Sequence, residues 1–131
     1  MNLERLREVR HLQKEIENLG TLRESLYYPI RSPHMGDGTH STTPGDPTAR
    51  AVNAIMQADE KINALQNKLA AEISEILDWI YTDVQSSELR SIIICHYLEG
   101  MTWEQTTRHV LGYYGTDSAR MRVYRFFGNS V

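Results

Sequence analysis

The chain has 131 residues, 40% apolar and 24% charged, with a formal net charge of −3 and one cysteine, Cys95. That length allows one compact domain, or a small domain with an extended helical part, and the composition is ordinary for a globular protein. No run nears the ~18 apolar residues of a membrane span, a lone cysteine excludes an internal disulfide framework, and the opening MNLERLREVR lacks a signal peptide's apolar core, so a cytoplasmic protein without a membrane partner is expected.

Residues 1–28 predict a helix, about Asn2–Tyr28. Val9, Leu12, Ile16, Leu19 and Leu26 recur at steps of three and four, which makes an apolar seam on an otherwise charged rod. Arg23 interrupts that seam where an apolar residue is expected. Residues 29–48 hold all four prolines of the chain and many Ser and Thr residues, and gain too little burial to offset the entropy of ordering them, so they are expected to form a mobile linker.

A longer helix is expected over 49–85, entered through Asp46 as cap and Pro47 at the first helical position. Ala51, Ile55, Ala58, Ile62, Leu65 and Leu69 keep a heptad seam. Ile73, Ile76 and Ile80 continue it after a four-residue step. Such a helix spans ~54 Å at 1.5 Å per residue. Its stripe is expected to pack against the first helix in an antiparallel hairpin, against a second copy of the chain, or against both.

Residues 86–131 predict three short helices. Ser86 or Ser87 caps the first, which Gly100 ends. Thr102 caps the second, with Gln105 completing a capping box, and that helix runs from about Trp103 to Leu111 before Gly112. Thr116 is expected to cap the third, about Asp117–Phe127. No strand signal survives, so the fold class expected is all-α: two long heptad-bearing helices joined by a linker, then a C-terminal tri-helical helix-turn-helix domain.

In a domain of that plan the last helix enters the major groove of DNA. Placing Ala119, Val123 and Phe126 inward at 100° per residue turns Asp117, Ser118, Met121, Tyr124 and Arg125 outward, with Arg120 and Arg122 flanking them where phosphates would lie. These seven residues are the candidate DNA-binding set. Charge agrees in sign, since Arg108, Arg120, Arg122 and Arg125 outnumber Glu104 and Asp117 in this part of a net acidic chain.

Three stretches carry a resemblance: His96-Tyr97-Leu98-Glu99-Gly100, then Met101-Thr102-Trp103-Glu104-Gln105, then Thr116-Asp117-Ser118-Ala119-Arg120 leading to Val123-Tyr124-Arg125-Phe126-Phe127. They are similar to region four of sigma factors, and the chain resembles the ArpU/RinA type of small phage late-gene transcription regulators. The likeness is detailed over about 86–127. It implies a phage or prophage regulator in a bacterial host cell, with double-stranded DNA and host RNA polymerase as partners, while the length of the apolar seam predicts a dimer or higher oligomer. The chain departs from the pattern at Thr106-Thr107, where the family carries an aliphatic residue and Ala, and in the long turn Gly112-Tyr113-Tyr114-Gly115, which predicts a wider angle between the helices it joins. Two other readings fit the same pattern: a DNA-packaging protein like a small terminase subunit, and a helical interaction module that does not touch DNA.

Other chemistry is weaker. Cys95-His96 with His34, His40 and His109 has no metal-ligand spacing. Glu72, Glu75 and Asp78 read as a solvated acidic face. No nucleophile or nucleotide-loop motif occurs, so neither catalysis nor a cofactor is expected. Trp103 reads as a core residue more readily than as a base-stacking one, and Tyr113 and Tyr114 as the exposed aromatic pair.

Overall fold

The computed structural model describes residues 1–31 and 47–129, with side chains over 1–27 and 48–128. Regular structure among them is helical throughout, without a strand. Helix α1 spans Leu3–Arg31, α2 Pro47–Asp83, α3 Ser87–Ile93, α4 Trp103–Thr106 and α5 Asp117–Asn129. Both α3 and α4 run on into a wider π-helical turn, Ile94–Leu98 and Thr107–Leu111 respectively.

The helix ends follow local chemistry. Asn2 Oδ1 accepts from the Arg5 N–H at the start of α1. Of the expected linker, 29–31 belong to α1 and 47–48 to α2; the rest of it lies outside the described residues, with His34, His40 and the Asp46 cap. Pro29 removes one backbone donor and the helix continues two residues past it, so a proline near a helix end is a weaker stop than the sequence reading supposed.

Between the two expected caps of α3, Ser86 is the one used, its Oγ accepting from Leu89 N–H at 3.1 Å. The capping box of α4 is complete: Gln105 N–H donates to Thr102 Oγ1 at 3.1 Å, and Thr102 N–H to Gln105 Oε1 at 3.0 Å. The second of these helices stops at Gly112, whose left-handed φ of +82° suits a residue without Cβ. Its N–H closes the last turn on the carbonyls of Thr107 and Arg108. The hydroxyl of Thr116 donates to Asp117 Oδ1 at 3.4 Å rather than accepting from the free N–H groups of α5.

The chain divides into two compact units, Met1–Gln13 with Leu69–Val131, and Lys14–Lys68. In the second, Ala51, Ile55, Ala58 and Ile62 are buried while Ile16, Leu19, Leu26 and Leu65 are half-buried. Arg23, the interruption in the seam of α1, pairs with Asp59 of α2 at 2.7 Å. Packing within one chain is one of the coverings expected for this stripe, and it buries the seam from Ala51 to Ile62 while leaving Leu65 half-buried.

The first unit is built on Leu6 and Val9 of α1, Ile76 and Ile80 of α2, then Val84, Ile92, Ile93, Tyr97, Ala119 and Val123, all nearly or wholly buried. Arg5 holds α1 to α2 through Glu72 and Glu75, which accounts for two of the three acidic residues on that face. Trp79 of α2 meets both Phe126 (6.1 Å, edge-on) and Phe127 (5.8 Å, stacked) of α5. The core of the short helices thus includes turns from both long ones.

Candidate nucleic-acid interface

Helix α5 buries Ala119 and Val123 fully and half-buries Phe126 and Phe127. Its opposite side borders a shallow hollow of about 280 Å³ lined by Tyr113, Asp117, Ser118, Met121, Arg122 and Arg125. Five of the seven candidate residues therefore share one surface. Arg120 and Tyr124 stand apart from it.

Tyr124, expected to face outward, is half-buried. Its ring meets Trp103 edge-on at 6.5 Å, and its hydroxyl accepts from Arg7 at 3.3 Å. Arg122, expected at the flank, lies on the exposed face and pairs with Glu88 in the first turn of α3. The exchange follows from their partners: Trp103 and Arg7 meet Tyr124, while Glu88 holds Arg122.

Charge on and beside this face is partly committed. Arg120 Nη2 donates to Asp117 Oδ1 at 2.6 Å while its Nε is buried without a partner. Arg125 pairs with no carboxylate among the described residues, which leaves its five donors for a ligand. Around the hollow, Tyr113 is 46% and Tyr114 76% exposed, so the turn before α5 does present the aromatic pair. Arg108 lies over the Tyr114 ring, 5.5 Å from its centroid.

Two buried threonines lie in the helix that precedes the turn into α5. Thr106 and Thr107 are fully buried, and neither hydroxyl has a hydrogen-bond partner. They sit where α4 opens into its π turn. Sequence reasoning flagged both hydroxyls; it gave no sign of the π turns, which a 3.6-residue period does not describe. Trp103 is half-buried, stacked on His96. Burial pushes the Cys95 thiol above its ordinary range. Among the described residues no three His, Cys, Asp or Glu side chains gather as a metal site, and no helix is long and apolar enough to cross a membrane.

The chain matches no protein-family model, no curated protein and no solved structure in comparisons with known proteins.

Proposed function

We propose that the protein binds double-stranded DNA by laying α5 in the major groove, as a helix-turn-helix regulator does. The observation that carries this is the hollow along α5, where Ser118, Met121, Arg122 and Arg125 lie side by side behind a capped α4 and a five-residue turn, Gly112–Thr116. A groove ~12 Å wide admits one helix, and an exposed arginine near its middle can donate twice to a guanine edge. Arg125 takes that role. Arg122, once it exchanges Glu88 for a phosphate, positions the helix.

The resemblance of residues 86–127 to region four of sigma factors favours a transcription regulator of phage or prophage type in a bacterial cytoplasm, with host RNA polymerase as a further partner. Self-association through the long helices, on which Leu22, Val52 and Met56 are exposed, is part of the same proposal. Retrieval of fragmented phage DNA on the protein, followed by sequencing, tests the reading. Enrichment of promoter-proximal sites supports a regulator; enrichment of a packaging start points to a terminase-like role.

A second reading, a protein-interaction module, is favoured by Arg120 and Arg122 being held by carboxylates beside exposed Tyr113, Tyr114 and Met121. Exposed aromatic and Met side chains are the composition of a protein contact. A gel shift with random DNA at low salt separates the two, since phosphate contacts give a salt-dependent shift and a protein-only surface gives none.

A further inference from the structure

A second concave site in the same unit shares no lining residue with the hollow on α5. It encloses about 300 Å³, with Arg7, Arg10 and His11 on one side and Trp103 and Tyr124 on the other. Arg7, Arg10 and His11 stand at i, i+3 and i+4 on α1, hence on one helix face. His96 and Tyr97, both buried, complete the lining, which includes no carboxylate.

Most of these groups are already held in place. Arg10 donates Nη1 to the carbonyls of His96 and Met101. Arg7 donates to the Tyr124 hydroxyl, and its guanidinium lies 6.0 Å from that ring's centroid. Trp103 is fixed between the stacked His96 ring and the edge of Tyr97. Cations without counter-charge select an anion. Aromatic rings beside them select a flat ring system, and the volume, at the small end of ligand cavities, suits one such ring with its charged group.

We infer that this cleft binds one nucleotide unit, its base against Trp103 and Tyr124 and its phosphate on Arg7 and His11. The same chemistry is offered by a free nucleoside monophosphate and by an unstacked base in a single strand. Stacking on aromatic side chains beside a cationic track is how single strands are held without sequence preference. The inference does not depend on α5 entering a duplex.

The test follows the indole N–H resonance of Trp103 in the full chain, with that of Trp79 as a check that the fold is intact. The probes are adenosine 5′-monophosphate, a ten-nucleotide thymidine strand, inorganic phosphate and a duplex of the same length. The monophosphate, the strand or both should shift Trp103 saturably, whichever acts identifying the source, with inorganic phosphate at least about tenfold weaker. Tyr124→Leu should weaken binding by roughly 5- to 150-fold, the range of losing one stacked base, and Arg7→Gln, which removes a phosphate contact, should weaken it measurably too. Arg108→Gln, which removes a charge elsewhere on the unit, should bind as the parent does. A Trp103 resonance unmoved by millimolar monophosphate and by the strand overturns the proposal. So do phosphate binding as tightly as the nucleotide, and full displacement of the nucleotide by the duplex, which would make the cleft a duplex-phosphate contact.

Discussion

The imidazole of His96 lies flat on the indole of Trp103, with ring centroids 3.5 Å and planes 15° apart. Its Nδ1 is 2.7 Å from the Met101 carbonyl, so that nitrogen carries the hydrogen and donates it. Burial, and then the charge of Arg10, lower the pKa to about 4; the bond to Met101 opposes them and is outweighed. In the unfolded chain the ring takes its proton near ~6.5. Between those values the unfolded state binds a proton that the folded state does not. Stability from this group is therefore complete above pH ~6.5 and declines as pH falls toward 4. Thermal melts across that window should show the decline, and His96→Asn should flatten it while lowering the melting temperature at pH 7. An unchanged acid limb in the variant would show that other groups set it.

The buried hydroxyls of Thr106 and Thr107 predict a gain from substitution. Each is fully buried with no partner, and an unpaired hydroxyl costs ~1–3 kcal/mol. Thr106→Val and Thr107→Val keep the branched shape and remove that cost. Each should stabilise the protein by about 1 kcal/mol in urea titrations at unchanged slope. A lower midpoint in both would mean that the hydroxyls are satisfied in solution.

Gly112 predicts the opposite. Its φ of +82° is one that side chains resist, yet an added Cβ would meet nothing within 4 Å. Gly112→Ala should then cost ~1 kcal/mol through the backbone alone. Gly112→Asn should cost less, because Asn tolerates the left-handed region. Equal losses in the two variants would place the cause elsewhere.

On DNA, the two exposed arginines of α5 should separate. Arg125→Ala should cost ~1–3 kcal/mol and relax preference at one base pair. Arg122→Ala should weaken binding to all sequences alike and shallow the log–log salt slope by about one unit. Binding curves unchanged by both substitutions at low salt would take α5 out of the groove and favour the interaction-module reading.

What the sequence made legible is what depends on neighbours in the chain. The Thr102–Gln105 box, the stops at Gly100 and Gly112 and the seam from Ala51 to Ile62 rest on local spacing, and the structure has each of them. Even the break at Arg23 was visible, though not the Asp59 that answers it 36 residues on. The exposed face of α5 was placed with Tyr124 where Arg122 stands, because a helical wheel cannot know that Trp103 and Arg7 meet Tyr124 while Glu88 holds Arg122. The Arg7–Tyr124 cleft was not legible at all. It joins side chains 117 positions apart, and no periodicity encodes that.

Arg10 and Gln13 close the end of α3, giving their donors to the carbonyls of His96, Leu98 and Met101. These partners come from 85 or more residues earlier in the chain. Excising everything before Ser86 would strand those carbonyls and uncover Ile92 and Ile93, which share a core with Leu6 and Val9. The smallest transplantable version of the C-terminal helices is consequently discontinuous. A graft into another protein has to carry the opening turns of α1 and the closing turns of α2 along with them.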